Sequence, residues 1–145
     1  MQSEKFTLSN EELSILSTFS ALSGVPVVDC IIDNEFNRVI ILVEEGYISA
    51  AIGKNGEIVK TLAKSLQKDI EIIEFSENPE EFLKKMFIPA HVNKVEVTEK
   101  NGEKTAHVYV EPAHKRIAIG KNGKTVARAR LIASRHLGIN KVYVD

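Results

Sequence analysis

The chain has 145 residues, of which 43% are hydrophobic, so it is long and apolar enough for one medium or two small packed domains and too apolar for a disordered chain. Its single cysteine excludes an internal disulfide and a multi-cysteine zinc site, and no apolar run approaches the ~18 residues of a membrane span. The net charge is −1, and the N-terminal segment carries acidic residues without a hydrophobic signal core, so we expect a soluble cytoplasmic protein with no membrane contact.

The first half of the chain predicts one helix, two strands, two further helices and a closing strand. Ser9 and Glu12 have the spacing of a capping box at the start of the first helix, and Gly24 is a stop signal at its end. Cys30 lies in the apolar run VVDCII and is expected to be a buried structural thiol. The predicted elements are a helix near 10–22, strands near 26–33 and 38–44, a short helix before Gly53, a helix near 57–67 and a strand near 70–75.

The second half predicts the same order of elements. Asn78 is the expected N-cap of a helix whose first residue is Pro79. Asn101-Gly102 is a strong signal for a two-residue hairpin turn. The predicted elements are a helix from Pro79, strands near 92–99 and 104–111, a short helix near 114–119, a long helix near 124–137 and a strand near 141–144.

The two halves also share a sequence motif. AAIGKNGEIVKTLAKSL begins at Ala50 and AIGKNGKTVARARLIAS begins at Ala118, which places Gly53 and Gly120 67 residues apart. The run IGKNG is identical in the two copies, which is not expected by chance. We therefore interpret the chain as two copies of one unit of about 70 residues, with domains at 1–75 and 76–145.

The second copy of the motif ends in Gly-Lys-Thr at 123–125, as a nucleotide-binding P-loop does. A P-loop has another glycine five positions before that last glycine, where this chain has Ala118. The first copy continues from Gly56 with Glu-Ile rather than Lys-Thr. These differences argue against an NTPase, and no nucleotide or other cofactor is expected.

A Gly-x-x-Gly loop has a different chemistry, because two glycines separated by two residues permit a tight turn between two helices and a close approach of a ligand. Backbone amides and the start of the second helix then favour phosphate groups. Lys54 and Lys121 lie inside the two turns as charges for phosphate. Asn55 and Asn122 tolerate left-handed backbone and can donate hydrogen bonds. The alternative is a glycine-rich connection that serves geometry alone.

The charges are distributed unequally between the halves. Residues 1–75 contain 6 Lys and Arg against 12 Asp and Glu, a net charge of −6, whereas residues 76–145 contain 13 against 8, a net charge of +5. Residues 113–145 hold eight basic residues and one acidic residue. Such a basic region favours a polyanionic partner, and the alternative is a solvated helix face with countercharges from the other half.

The motif [Ile/Val]-Gly-x-x-Gly-x-x-[Ile/Val] between two helices resembles that of the KH domain, and it reads IGKNGEIV at 52–59 and IGKNGKTV at 119–126. A helix and a strand before the core βααβ resemble the type II arrangement. The tandem with almost no linker resembles the paired KH domains of the NusA family. The resemblance implies an α+β fold of two consecutive type II KH domains, each a three-stranded sheet packed against three helices. It also implies loops that each clamp about four nucleotides of single-stranded nucleic acid.

By this resemblance the function would be transcription termination or antitermination on nascent RNA. Bacterial NusA carries in addition a polymerase-binding domain and an OB-type domain, for which 145 residues leave no room, so we expect the short archaeal type. The resemblance also implies RNA polymerase as a possible partner. No residue of this chain can be assigned to that contact. Two alternatives keep the same fold: a factor that binds ribosomal RNA, and a protein-interaction scaffold. No Ser/His/Asp set, carboxylate pair or regular metal spacing of the four histidines indicates an enzyme or a metal site.

Residues in and around the two loops are the candidates for RNA binding. Aromatic residues make up only 6% of the chain, so an aliphatic groove is favoured over stacking on aromatic rings. Val59 and Val126 are expected to belong to the core instead. The candidates are Ile52, Gly53, Lys54, Asn55, Gly56 and Lys60 in the first copy, and Lys115, Arg116, Ile119, Gly120, Lys121, Asn122, Gly123, Lys124 and Arg128 in the second.

Overall fold

The computed structural model describes residues 8–145, which form two compact units, one ending at Ser76 and one comprising Glu77–Asp145. The elements of the first unit are α1 (Asn10–Ser23), β1 (Val27–Asp33), β2 (Arg38–Val43), α2 (Ile48–Ile52), α3 (Glu57–Leu66) and β3 (Asp69–Glu74). Those of the second are α4 (Pro79–Lys85), β4 (Val92–Lys100), β5 (Glu103–Val110), α5 (Lys115–Ile119), α6 (Lys124–Leu137) and β6 (Lys141–Val144).

Each unit contains one three-stranded sheet with the same connectivity. The orders are β1-β2-β3 and β4-β5-β6, with the first pair antiparallel and the second pair parallel. Both antiparallel pairs shift register near the start of the first strand, between Val27 and Asp29 and between Val92 and Lys94. The predicted α+β architecture, with a three-stranded sheet and three helices in each unit, is confirmed.

The predicted capping box begins α1. The Ser9 hydroxyl accepts a hydrogen bond from the Glu12 amide at 3.1 Å, and the Glu12 carboxylate accepts one from the Ser9 amide at 3.0 Å. The second carboxylate oxygen of Glu12 accepts from the Ile32 amide at 3.2 Å, so this side chain also joins α1 to β1. Gly24 ends the helix in the left-handed conformation, as expected for its stop signal.

We expect Ser9→Ala to lower the free energy of unfolding by about 1 kcal/mol, the usual effect of losing an N-cap hydroxyl. The hydroxyl is the only part removed, and the Glu12 amide loses its acceptor. Urea denaturation of the full chain measures the difference. Ser17→Ala, at an exposed interior position of the same helix, is the control and should leave the free energy within about 0.5 kcal/mol of the parent value. Equal effects of the two substitutions would contradict the cap.

The core of the first unit lies between α1, α3 and one face of its sheet. Phe19 and Leu62 are fully buried against Val39 and Ile41 of β2. Cys30 belongs to the same cluster and is buried, as predicted. The apolar run of β2 is explained by its position as the central strand, since it is buried at every residue.

Arg38, at the start of β2, is fully buried, which the sequence did not predict. Its Nε donates to the Asp33 carboxylate at 2.7 Å and its Nη1 to Glu71 at 3.2 Å. The guanidinium also lies 4.8 Å from the centre of the Phe36 ring. Because the charge is buried and paired with both neighbouring strands, it holds the β1–β2 turn in register with β3.

The second unit begins as predicted, with Pro79 as the first residue of α4 and the Asn78 side chain accepting a hydrogen bond from the Glu81 amide at 3.0 Å. Asn101 and Gly102 both have positive φ, +55° and +81°, and form the predicted hairpin turn between β4 and β5. The fully buried core side chains of this unit include Phe82, Leu83, Phe87, Val108 and Ile132.

The histidines of the second unit make contacts within the fold. His107 stacks on Tyr143, with ring centres 5.5 Å apart, and its Nδ1 lies 3.1 Å from the Asp145 carboxylate. His136 packs edge-on against Phe82. On the same sheet, the hydrogen bond from the Tyr109 hydroxyl to Glu96 raises the pKa of the tyrosine. His107 and His136 therefore have structural roles.

Candidate nucleic-acid interface

The two Gly-x-x-Gly loops have almost the same backbone. Each starts at a glycine with φ near +85° and ψ near +165°, at Gly53 and Gly120. A single 3₁₀ turn follows, in which Asn55 and Asn122 both have φ of +57°. The left-handed conformation anticipated for the two asparagines is therefore present in both copies.

Backbone hydrogen bonds fix each loop to the short helix before it. The Gly53 amide donates to the Ser49 carbonyl oxygen at 3.0 Å, and the Gly120 amide donates to the Arg116 carbonyl oxygen at 2.9 Å. In both loops the amide of the second glycine donates to the carbonyl oxygen of the first at 3.0 Å. The side chains between the glycines are left exposed, namely Lys54, Asn55, Lys121 and Asn122.

The first glycine of each loop is required by internal packing. A Cβ on Gly53 would lie 3.0 Å from the Ile58 amide nitrogen, and a Cβ on Gly120 would lie 2.7 Å from the Thr125 amide nitrogen. Both residues also occupy a region of φ and ψ that is essentially confined to glycine. These two glycines let the second helix start directly against the end of the first.

The second glycine of each loop has open space in front of it. A Cβ on Gly56 would meet only the end of the Lys60 side chain, at 3.6 Å, and one on Gly123 would meet nothing within 4 Å. Glycine is therefore not demanded there by the protein's own packing, although φ is positive at both positions. The bare backbone leaves room for the close approach of a ligand.

Aliphatic side chains flank the loops, as the sequence suggested. Ile52 and Ile119, directly before the first glycines, are 37% and 38% exposed. Val126 is buried and Val59 is half-buried against the core, which confirms the prediction that both are core residues. The exposed isoleucines are thus the apolar groups available to a base or ribose beside each loop.

The cations next to the second loop are gathered around one surface depression of ≈ 600 Å³. Lys115 and Arg116 line it together with Lys121. Within residues 8–145, no carboxylate pairs with any of these three side chains. Gly120 also lines the depression, as do Pro112, Ala113 and Ile117, which were not predicted from the sequence. The signal that could have found them is Ile117, an apolar residue directly after two cations.

Two arginines of α6 donate hydrogen bonds to backbone carbonyl oxygens of their own domain. Arg128 is half-buried and its Nη2 donates to the Met86 carbonyl oxygen at 2.9 Å, so the guanidinium joins α6 to the end of α4. Arg130 donates from Nε and Nη2 to the Val142 carbonyl oxygen at 3.3 and 3.2 Å. Because Nη2 of Arg128 is engaged within the domain, RNA contact by this residue together with Lys124 stays a prediction. Lys124 is half-buried, and Lys60 is exposed beside Gly56.

His114, close to the second loop, accepts a hydrogen bond at Nδ1 from the His91 amide at 2.8 Å. This contact ties the segment before α5 to the start of β4. No group of three or more His, Cys, Asp and Glu side chains in the described part of the chain could hold a metal ion. Among residues 8–145, no helix is both long and apolar enough to cross a membrane.

Two sheets of identical topology, each with a Gly-x-x-Gly loop between two helices, define a protein of tandem type II KH domains. The KH domain family matches residues 16–102, and the NusA-like second KH domain matches residues 79–142. With these matches and the relatives below, the chain belongs to the NusA-like family of tandem KH proteins.

Relatives and a solved structure agree with this assignment over nearly the whole chain. The probable transcription termination protein NusA of Methanocaldococcus jannaschii is 35% identical over 97% of this chain and 75% of its own length. The protein of the same name from Halococcus morrhuae is 33% identical over 95% of this chain and 97% of its own. The crystal structure of APE1850 is similar with a TM-score of 0.88 and 40% identity, covering 95% of this chain and all of the other. None of these names is that of an enzyme.

Proposed function

We propose that this protein binds single-stranded RNA through its two Gly-x-x-Gly loops and acts as a NusA-type transcription termination or antitermination factor. The observation that carries the proposal is the duplicated loop, with the same backbone in both copies and an exposed lysine in each. Support for transcription comes from the relatives that are named probable transcription termination protein NusA.

The protein acts without catalysis, nucleotide cofactor or metal, in the cytoplasm, where archaeal and bacterial transcripts are made. RNA polymerase is a partner. The functional domains are 1–75 and 76–145, a division supported by the compact units that meet between Ser76 and Glu77.

In the proposed complex, an RNA phosphate lies against the open side of the second glycine of each loop. There the bare backbone at Gly56 or Gly123 permits close approach, and the exposed lysine supplies the charge. A neighbouring base or ribose packs on Ile52 or Ile119. Lys60 extends the first site, and Lys124 lies at the start of α6 in the second. The grip follows from local geometry and does not require aromatic stacking.

Titration of the full chain with single-stranded RNA tests the proposal. We expect binding whose logarithmic association constant falls linearly with the logarithm of salt concentration, since each phosphate contact in a single strand contributes a slope of about 0.7. An RNA duplex and ATP should bind far more weakly. Absence of salt-dependent binding to single-stranded RNA overturns the proposal. Purification of the native protein with its partners separates the two roles. Ribosomal subunits in place of RNA polymerase would indicate a ribosomal role instead of one in transcription.

The two loops should contribute unequally to this binding. Around the second loop, Lys115 and Arg116 add positive charge that no carboxylate within residues 8–145 pairs with, whereas Glu57 directly follows the first loop. We expect the factor by which RNA affinity falls to be about three times larger for Lys121→Asp/Asn122→Asp than for Lys54→Asp/Asn55→Asp. The reason is that charges within a Debye length of ~8–10 Å strengthen the second site. Parallel titrations at several salt concentrations measure the ranking. A larger loss from the first-loop variant would show that aliphatic contacts determine it.

A further inference from the structure

We infer that the second domain has an additional phosphate subsite, formed by α5 beside the loop, that the first domain lacks. The inference rests on the proposed RNA binding and specifies its extent. The second domain would engage one nucleotide beyond those held at its own loop. The second domain would therefore contact more nucleotides than the first, although the two loops are alike.

The subsite is the depression that reaches from the loop to the turn before α5. Lys115 and Arg116 line it, and Lys121 of the loop borders it as well. Its volume of ≈ 600 Å³ is in the range of small-ligand sites, which are about 300–1,000 Å³. Phosphate is the group that suits two neighbouring cations such as these.

Apolar groups complete the depression. Ile117 is 44% exposed and lines it together with Pro112. An exposed isoleucine beside two cations provides a surface for a ribose or base, while the cations contact the attached phosphate. A free anion would use only the charges, so the combination favours a nucleotide unit of the RNA strand.

The first copy shows what the same backbone does without these side chains. Both α2 and α5 have five residues, and both are closed by a glycine amide that donates back to the helix. Where α5 reads KRIAI, α2 reads ISAAI. The positions of Lys115, Arg116 and Ile117 are thus held by Ile48, Ser49 and Ala50. The backbone is kept and the two cations are absent, so the subsite belongs to the second domain.

This internal repeat supplies the test. In the full chain, Lys115→Ile/Arg116→Ser/Ile117→Ala converts α5 to the sequence of α2, which forms the same short helix in the first domain. We expect the affinity for a long single-stranded RNA to fall about fourfold at 0.15 M salt and the salt slope to fall by about 0.7, because one phosphate contact is lost. RNAs shortened one nucleotide at a time should show a second difference. The parent should lose affinity at a length one nucleotide longer than the length at which the variant begins to lose it.

The reciprocal variant Ile48→Lys/Ser49→Arg/Ala50→Ile keeps the inference testable if the first variant fails to fold. It should strengthen RNA binding and steepen the salt slope. A folded α5 variant with the parent's salt slope and length dependence overturns the subsite while leaving the proposed function standing, since the loops still bind. Loss of RNA binding by the parent itself overturns both.

Discussion

Lys121→Asp/Asn122→Asp is expected to lower the affinity for single-stranded RNA about 100-fold. Each aspartate within ~4 Å of a phosphate adds about 1 kcal/mol of repulsion at the dielectric constant of water. At 25 °C, two such repulsions lower the affinity about 30-fold. The lost lysine contact removes a further factor of about 4 at 0.15 M salt. The salt slope should fall by about 0.7.

The fold should survive these two substitutions. Both side chains are exposed, and neither has a partner within residues 8–145. Asn122 has a φ of +57°, a conformation that aspartate also adopts more readily than most residues. A change in thermal unfolding much larger than that of a typical surface substitution would therefore be unexpected.

The chain contains a matched control in the β4–β5 hairpin. Lys100, Asn101 and Gly102 repeat the loop tripeptide Lys-Asn-Gly, with Asn101 also left-handed and both Lys100 and Asn101 exposed. Lys100→Asp/Asn101→Asp makes the same change of charge in the same domain but outside any Gly-x-x-Gly loop. It should cost far less affinity. Equal losses from the two variants would mean that only the net charge of the domain matters, and the loop would then have no specific role.

The largest expected effect on stability is that of Gly120→Ala. The backbone conformation there, φ +83° and ψ +165°, costs a residue with a Cβ about 1–3 kcal/mol. The new Cβ would also lie 2.7 Å from the Thr125 amide nitrogen, which is backbone and cannot rotate away, and such overpacking costs about 1–3 kcal/mol more. We expect the free energy of unfolding to fall by about 2–6 kcal/mol.

Gly123→Ala separates stability from binding. Its left-handed conformation costs an alanine about 1–2 kcal/mol, but a Cβ there meets nothing within 4 Å. Denaturant unfolding should thus show a smaller loss than for Gly120→Ala, while RNA binding weakens because the methyl group occupies the space left for the ligand. If the folded Gly123→Ala protein binds RNA like the parent, the RNA does not approach that side of the loop.

Local signals explain why much of this fold could be predicted. The capping box of Ser9 and Glu12, the Asn101-Gly102 turn and the repeated IGKNG each depend on residues within a few positions of one another. Such short-range preferences act in the same way wherever the segment is placed. Together they determined the order of the elements, the duplication of the unit and the position and left-handed backbone of both loops.

The hydrogen-bond partners of two arginines could be identified only in the folded structure, because these partners lie far away in the sequence. Arg128 reaches a carbonyl oxygen 42 residues away and Arg38 a carboxylate 33 residues away, and neither partner can be read from spacing. The hydrogen bonds of both arginines are thus made within their own domains. Lys115 and Arg116, by contrast, remain unpaired within the described residues. A cation's sequence neighbours specify its charge, but the backbone that folds within its reach decides whether that charge is used inside the protein or left for a ligand.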